Sequence, residues 1–292
     1  MDSLFCDVCV SKFMLKKEHQ MRSDKRLREH YLIEKELANQ LRNASKEARK
    51  RLYPHLYDEL YRLVPDHPQL TRKNSKEAGR VAIERQLMLL RKFLTDDTTF
   101  LEVGAGDCGL SIAVSAEVAR VYAVDVSQNI MAKTSPKRNL DFVLSDGCSI
   151  PVPEKSVDLA YSYQLMEHLH PEDAREQLQN IYKALKKGAR YVCQTPNPMN
   201  GPHDISQYFD DTACGFHLKE YTAGELCDLF AQAGFTSIHA YFGVKGRYRR
   251  ISVSAVRCLE TVLGGVPAQM RRGIANRLPC RLFMGLPIVA IK

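Results

Sequence analysis

Residues 99–125, TFLEVGAGDCGLSIAVSAEVARVYAVD, decide the fold of this 292-residue chain. An apolar run ends at a glycine-rich turn, a small-residue helix follows, and a second apolar run ends at Asp125. Gly104 permits the tight turn, Gly106 removes a side chain so that a ligand can approach the backbone, and Gly109 lets helix and strand lie close together. The pattern predicts a strand–turn–helix–strand unit with a ligand at the turn.

Strand and helix patterns alternate from this unit to the end of the chain. We expect strands at 99–103, 121–125, 141–144, 157–163, 190–195, 237–242 and 286–291. We expect helices at 77–94, 109–118, 171–186 and 222–233, the third closed by Gly188. This alternation predicts an α/β fold with a doubly wound, mostly parallel, seven-stranded sheet. Ligands bind such sheets beyond the carboxyl ends of the strands.

The second strand of the unit ends in an acid. Asp125 lies about twenty residues beyond the first glycine, where a carboxylate accepts hydrogen bonds from both hydroxyls of a ribose. This pairing predicts an adenosine-containing cofactor, and it fits nicotinamide dinucleotides and S-adenosylmethionine alike. Two further acids favour the second. A negative Glu102 suits a sulfonium better than a pyrophosphate, and Asp146, after the third strand, can accept from an adenine amino group.

The series of motifs resembles the class I S-adenosylmethionine-dependent methyltransferases, in particular the methyltransferase type 11 family. The motifs are EVGAGDCG, VYAVDVS, SDG, IPVPEKSVDLAYS, QLMEHL and KALKKGARYVCQTPNP. They span about residues 80–243, with the final strand in addition, and they occur in the family's order. One departure is that Asp107-Cys108 delays the third glycine to Gly109. The resemblance implies a Rossmann-like methyltransferase fold, a final antiparallel hairpin, and S-adenosylmethionine as cofactor.

The resemblance also implies which residues bind that cofactor. Glu102 and the three glycines would line its methionine side, Asp125 would bind the ribose, and Asp146 would bind the adenine amino group. The implied cofactor-binding set is Glu102, Gly104, Gly106, Gly109, Asp125, Val126, Asp146, Gly147, Gln164 and Leu165.

The segment after the fifth strand, residues 195–221, is the expected acceptor loop. It is dense in polar, aromatic and turn residues, and loops of this length are usually functional or disordered. His203, His217 and His168 are candidate catalytic bases, because an imidazole titrates near neutral pH. Each also fits a structural histidine that bonds a loop carbonyl, the favoured interpretation for His168. Asp204 could orient His203 or cap the following turn.

The first seventy or so residues have the pattern of a helical extension. Residues 16–51 contain neither Pro nor Gly and predict one helix, and a second apolar-aromatic stretch follows Pro54. We therefore divide the chain into a helical N-terminal extension, 1–75, and a methyltransferase domain, 76–292. A basic helical insertion at about 245–283 separates the last two strands.

The formal net charge is +8, and the excess of Lys and Arg is concentrated in the insertion. A basic segment of this kind predicts an acidic partner, and we expect an anionic acceptor. The insertion has three open roles: contact with an anionic membrane, cover for the acceptor pocket, or contact between subunits. The last two are favoured, and nucleic acid is the less favoured partner.

Cysteine and hydropathy patterns restrict the class of protein further. Nine cysteines favour reduced thiols over a disulfide framework. Cys6 and Cys9 form one CxxC, but no second CxxC completes a zinc site, so no metal site is predicted. No stretch approaches the roughly 18 uninterrupted apolar residues of a membrane span, and the N-terminus lacks the pattern of a signal peptide. Cytoplasmic localisation is therefore expected.

These observations together predict an enzyme that transfers a methyl group from S-adenosylmethionine to an oxygen or nitrogen. The expected acceptor is a small molecule or glycan-like compound, with phosphorylated or lipid-linked ones included. The alternatives are an RNA methyltransferase, a nicotinamide-dependent oxidoreductase and an inactive cofactor-binding scaffold. The first lacks a recognisable RNA-binding module, the second is disfavoured by Glu102 and by Asp146-Gly147, and the third by intact cofactor motifs.

Overall fold

The computed structural model describes residues 22–68, 70, 76–127, 137–244 and 247–292, and its centre is a mixed β-sheet. Within these residues the sheet has eight strands, in the order β3-β2-β1-β4-β5-β8-β6-β7. They are β1 (Thr99–Val103), β2 (Arg120–Asp125), β3 (Leu140–Leu144), β4 (Val157–Tyr163), β5 (Leu185–Gln194), β6 (Ser237–Val244), β7 (Arg247–Ile251) and β8 (Ile288–Ile291). Strands β1 to β5 are parallel, whereas β8, β6 and β7 pair antiparallel.

The strand order reverses between β1 and β4, and this places the ligand crevice at their carboxyl ends. The segments that follow Val103, Asp125, Leu144, Tyr163 and Gln194 therefore meet at one edge of the sheet. The doubly wound α/β fold is confirmed, and so is the antiparallel pairing of the two strands that flank the insertion, β6 and β8.

The predicted number of strands, seven, is wrong by one, because the basic insertion contains β7. This strand pairs antiparallel with β6, with Arg249 opposite Phe242. The run Arg247–Ile251 lacks the apolar alternation that marks a half-buried strand. Backbone hydrogen bonds to β6 stabilise it, together with Tyr248 and Ile251, which pack against the core. Its exposed arginines lie at the sheet edge, where charge opposes pairing with another sheet.

Helices cover both faces of the sheet. They are α1 (Asp24–Asn43), α2 (Lys46–Leu63), α3 (Lys76–Leu90), α4 (Gly109–Val114), α5 (Pro171–Ala184), α6 (Ala223–Gln232), α7 (Val253–Gly264) and α8 (Ala268–Ala275). Successive strand residues point to opposite faces. Leu101 and Val103 join the core formed with α2, α5 and α6, whereas Phe100 and Val121 join the core formed with α3 and α4.

Three predictions about the helices are corrected. The single helix expected over 16–51 is broken within the described residues, because Ser45 starts α2 and its side chain accepts from the backbone N–H of Ala48. Pro54, expected to precede the second stretch, lies inside α2. Gly188 does not close the third predicted helix. That helix ends at Ala184, and Gly188 lies within β5, where φ is +78°.

The first two helices share the core of the sheet. Leu37, Leu41, Leu56 and Leu60 are buried in the same hydrophobic cluster as Val103. The division at residue 75 stays a prediction, although the apolar stripes of α1 and α2 are covered by the rest of the chain. Among the described residues, no helix has the length and hydropathy that a membrane crossing requires.

Candidate active site

The glycine-rich turn after β1 closes against β2. The backbone N–H groups of Gly104 and Ala105 both donate to the carbonyl oxygen of Val124, at 2.8 and 3.1 Å. Leu165 lies against Gly104, where a Cβ would come within 2.9 Å of a Leu165 methyl group. Gly106 has φ +54°, and a Cβ there would meet no atom within 4 Å. Gly106 therefore borders open space, as a ligand bound against the turn requires.

Asp125 is held beside this turn by two backbone donors. Its Oδ2 accepts from the N–H of Gly106 at 2.9 Å, and its Oδ1 accepts from the N–H of Ser127 at 3.0 Å. Each carboxylate oxygen has further lone-pair capacity, so the oriented group can still accept from a ligand hydroxyl. The structure thus places Asp125, the residue predicted to bind the ribose, in direct contact with the glycine-rich turn that is the predicted cofactor cradle.

Glu102 lies behind the turn, and its side chain is buried. Its carboxyl accepts a hydrogen bond from the hydroxyl of Ser111. Burial raises the pKa of Glu102 to about 8, and the charges of Asp107 and Asp125 act in the same direction, against the bonds from Ser111. A nearby cation such as a sulfonium would oppose this shift, so selection of the cofactor by the charge of Glu102 stays a prediction.

Asp146 is fixed by its own loop. Its Oδ1 accepts from the backbone N–H groups of Cys148 and Ser149 at 2.9 and 2.7 Å, and its Oδ2 lies 3.4 Å from Nζ of Lys50. Burial tends to raise the pKa of Asp146, but these backbone bonds and Lys50 outweigh it and hold the pKa below its ordinary value. Asp146, the predicted partner of the adenine amino group, is thus ionised. It also forms an ion pair with Lys50 of α2.

The other residues implied by the resemblance lie in several environments. Gly147, with φ +94°, lies against the ring of Tyr53, where a Cβ would come within 2.7 Å. Gln164 is exposed, and Val126 lies half-buried directly after Asp125. Gly109 instead faces α3, where a Cβ would come within 2.9 Å of Ile83. The structure therefore gives Gly109 a close helix contact, whereas Gly104 and Gly106 form the cradle.

His203, one candidate base, holds the acceptor loop together. Its Nε2–H donates to the carbonyl oxygen of Asn197 and to Oδ1 of Asn200, at 3.0 and 2.9 Å. Its backbone N–H donates to Oε1 of Glu220 at 2.6 Å. Nε2 of His203 therefore serves as a hydrogen-bond donor within the acceptor loop.

His168 and His217 meet with their ring centroids 4.9 Å apart. Nδ1–H of His168 donates to the carbonyl of Phe216 at 3.0 Å, as in the structural interpretation, and burial lowers the pKa of His168 to about 3. Nδ1–H of His217 donates to Glu220 at 2.7 Å. Burial opposes the charged form of His217, but Glu220 outweighs it and raises the pKa to about 9. The pKa values of His168 and His217 are thus displaced from neutral pH in opposite directions, and the role of either residue as a base stays a prediction.

Helix α1 fastens the acceptor loop to the site. Oε1 of Glu34 accepts from the N–H of Phe216 at 3.0 Å, and the guanidinium of Arg42 donates to the carbonyls of Cys214 and Gly215, each at 2.8 Å. Asp204 caps its own turn, as one of its two interpretations expected. Its Oδ1 accepts from Ser206 at 3.0 Å and its Oδ2 from Gly215 at 2.9 Å.

The basic insertion covers the outer side of the same loop. Glu260 of α7 is buried, and its carboxylate accepts from Asn197 in the loop and from the first N–H groups of α6, Ala223 and Gly224. Arg272 of α8 donates to a carbonyl of the loop at 2.9 Å. Of the three roles left open for the insertion, these contacts favour cover of the acceptor region.

Several site residues were missed from the sequence. Glu167 is fully buried beside His168, and its Oε2 accepts from Thr195 at 2.6 Å. Glu34 was hidden in a helical pattern, although it lies on the apolar stripe of α1 and a charged residue there is a usable signal. Tyr57 stacks on Phe216 with centroids 4.9 Å apart, and only the folded chain brings these two rings together.

Comparison with known proteins identifies the fold that carries this site. Residues 101–193 match the family model described as a methyltransferase domain. A protein from Mycolicibacterium smegmatis, named as a probable S-adenosylmethionine-dependent methyltransferase, is 29% identical over 137 residues, which are 46% of this chain and 51% of that protein. A ubiquinone/menaquinone biosynthesis C-methyltransferase from Desulfotalea psychrophila is 25% identical over 162 residues, 48% of this chain and 65% of that protein. The chain spans about half the length of the first curated relatives it matches.

Two solved structures agree in fold. A SAM-dependent methyltransferase from Archaeoglobus fulgidus aligns over 76% of this chain and 96% of its own, with a TM-score of 0.51 and 19% identity. A SAM-dependent methyltransferase from Thermotoga maritima aligns over 84% of this chain and 99% of its own, with a TM-score of 0.51 and 14% identity. These alignments confirm the Rossmann-like fold, and the matches to the family model and to the curated relatives confirm the resemblance to class I methyltransferases.

Proposed function

We propose that this chain, whose residues 101–193 form part of a class I methyltransferase domain, transfers a methyl group from S-adenosylmethionine to an oxygen or nitrogen of a small-molecule or glycan-like acceptor. The proposal rests on the hydrogen bond that the backbone N–H of Gly106 donates to the carboxylate of Asp125. An open backbone cradle lies within hydrogen-bond distance of an oriented carboxylate, and both belong to the segment that matches the family.

The residues present fit this cofactor. Gly104 and Gly106 would let it approach the turn, and Asp125 would accept from its ribose hydroxyls. When bound, S-adenosylmethionine supplies an already activated methyl group, so the protein's task is largely to position the acceptor. The acceptor loop would do this at the ends of β4 and β5, because α1, α2 and α7 hold it there.

The proposed acceptor is anionic. Support comes from the excess of arginine in the insertion that covers the loop. A panel of phosphorylated and unphosphorylated glycans, assayed for methyl transfer at two ionic strengths, tests this class. Faster transfer to the phosphorylated members, weakened by salt, is expected. Equal turnover of both sets at both ionic strengths would contradict it.

Calorimetric titration with S-adenosylmethionine, S-adenosylhomocysteine and NAD tests the cofactor. We expect micromolar binding of the two adenosyl ligands and none of NAD. Asp125→Ala should abolish this binding and leave the fold intact, because the residue lies half-buried at a strand end. The matched control is Asp141→Ala, which removes an exposed carboxylate from the start of β3. NAD binding alone, or unchanged affinity in Asp125→Ala, would refute the assignment.

A further inference from the structure

Three side chains that commonly bind metals converge beside the cofactor cradle. Glu167 and His168 belong to the 3-10 turn Met166–His168 after β4, and His217 lies in the acceptor loop. Each offers one ligand atom, and the three atoms lie within 4.8 Å of one another. Oε1 of Glu167 and Nε2 of His168 are 3.9 Å apart.

Each of these side chains is oriented by a hydrogen bond through its other polar atom. Thr195 donates to Oε2 of Glu167, and the Nδ1–H groups of His168 and His217 donate to the carbonyl of Phe216 and to Glu220. This leaves Oε1 and the two Nε2 atoms to face an ion. An ion would displace the second proton of His217, because a metal-binding imidazole is neutral. Metal-binding histidines are oriented in the same way, with the second ring nitrogen donating to a carboxylate or carbonyl.

Glu167 supplies an independent reason to expect a bound group. Its side chain is fully buried, and among the described residues Oε1 has no hydrogen-bond partner. A buried polar atom without a hydrogen-bond partner carries a free-energy cost. A cation bonded to Oε1 would remove that cost, and the side chains of His168 and His217 are 18% and 11% exposed, so an ion can reach the site.

Two other groups with ligand-type side chains occur in the described part of the chain. They are His30, Glu34 and His67, and His170, Glu172 and Asp173. In the first group both ring nitrogens of His30 are engaged, by Arg22 and Glu34. In the second, Asp173 accepts from Arg49 and Tyr53. Neither group combines a buried oxygen that lacks a partner with two oriented imidazoles.

We propose that Glu167, His168 and His217 bind one divalent first-row transition ion, for which zinc is the natural probe. Two imidazoles and one carboxylate with remaining open positions are a known ligand set for zinc and for non-haem iron. Bonds of about 2.1 Å place ligand atoms about 3.4 Å apart, so loading the site requires the present separations, which are at most 4.8 Å, to close by up to about 1.4 Å. No metal site was predicted from the sequence, because His217 is remote from the other two residues along the chain.

The ion would lie where the acceptor is expected. Leu165, which packs on Gly104 of the cradle, directly precedes the turn that carries Glu167 and His168. An open coordination position would hold a hydroxyl or an anionic oxygen of the acceptor and polarise it. This role rests on the proposed function, whereas the metal site itself does not.

The test uses the full chain carrying Cys6→Ser and Cys9→Ser, so that the CxxC thiols do not bind zinc. The protein is stripped with a chelator and dialysed against zinc chloride, and bound zinc is counted per chain. We expect one ion, together with a rise in melting temperature. Cobalt chloride is a second probe, whose absorption spectrum should report nitrogen and oxygen ligands.

Variants assign the ion to the three residues. Glu167→Gln keeps the side-chain shape, and His217→Asn keeps a hydrogen-bond donor near the position of Nδ1. Both variants should lose the bound ion, with circular dichroism as the check on folding. Thr195→Val, which removes only the donor to Glu167, should weaken binding about 10- to 100-fold. The control is His55→Asn, an exposed histidine of α2 that should retain one ion.

The outcomes separate the two proposals. Zinc binding that is absent from the parent chain, or that persists in both Glu167→Gln and His217→Asn, overturns the metal site. One bound zinc without affinity for S-adenosylmethionine supports the metal site and refutes the proposed function. Affinity for S-adenosylmethionine without bound zinc supports the proposed function and overturns the metal site.

Discussion

At the scale of single residues, the buried carboxyl of Glu102 makes the folding stability depend on pH. Its carboxyl is buried behind the turn, and burial raises its pKa from the ordinary 4.5 to about 8. The folded chain therefore retains a proton that the unfolded chain has released once the pH exceeds about 4.5. Folding stability contributed by this group is complete below that pH and is lost as the pH rises towards 8.

Glu102→Gln should remove this dependence, because an amide does not titrate. Between pH 5 and pH 8 the free energy of unfolding of the wild-type chain should fall relative to that of the variant, by on the order of 3 kcal/mol. Urea unfolding of both proteins across this range measures the difference. Comparison with the variant is needed because Asp204, whose pKa burial raises to about 6, titrates in the same interval. Parallel curves for the two proteins would show that Glu102 is ionised when folded.

At the scale of elements, one buried ion pair attaches the N-terminal helices to the domain. The guanidinium of Arg49 in α2 donates to both carboxylate oxygens of Asp173 in α5, at 2.6 and 2.8 Å, and Tyr53 donates to the same group. Asp173 has no exposed surface, and Arg49 is 2% exposed. A carboxylate in this position depends entirely on its partners for solvation.

Arg49→Ala should lower the free energy of unfolding by about 3–5 kcal/mol, because it leaves the charge of Asp173 buried and only partly paired. The matched control is Arg80→Ala, which breaks an exposed ion pair with Glu77 on α3 and should leave stability nearly unchanged. Thermal and urea unfolding measure both variants. Equal effects would mean that α2 is not held through Asp173.

The buried carboxylate of Glu260 attaches α7 to α6 and to the acceptor loop. It is a buried acid within a basic segment, and its carboxylate accepts from Asn197 and from the N–H groups that begin α6. Glu260→Ala would leave these donors buried without a partner, and we expect a loss of roughly 2–4 kcal/mol in unfolding free energy. Asp228→Ala, at an exposed ion pair with Arg257, is the control and should have little effect. A Glu260→Ala protein as stable as that control would refute the capping role.

At the scale of the whole molecule, the N-terminal helices complete the core of the sheet. Leu41 and Leu60 are 2% and 1% exposed and share a cluster with Val103 and Met166. A chain that starts at residue 76 would expose this apolar surface to water. We expect it to lose cooperative thermal unfolding and to bind a hydrophobic dye such as ANS. A fragment that melts cooperatively at the temperature of the full chain would make residues 1–75 a dispensable extension.

Local patterns along the chain determined the sheet and the cofactor cradle. The strand Thr99–Val103 and the strand Val157–Tyr163 begin and end where the apolar runs predicted. Thr222, the first residue of the helix predicted at 222–233, is the N-cap of α6. Gly106 and Asp125 could be paired in advance, because parallel strands bring their carboxyl ends to one edge. These features depend on short-range signals, which a single sequence contains.

Contacts between distant segments were decided only by the tertiary structure. The strand Arg247–Ile251 has no alternating apolar pattern and forms where β6 offers a free edge and the core accepts Tyr248 and Ile251. The protonation of His168 and His217 also follows from their surroundings, since burial and Glu220 move the two pKa values in opposite directions. Hydrogen bonding, desolvation and charge pairing depend on which atoms are in contact in the folded chain. Local sequence patterns do not specify contacts between residues that are far apart along the chain.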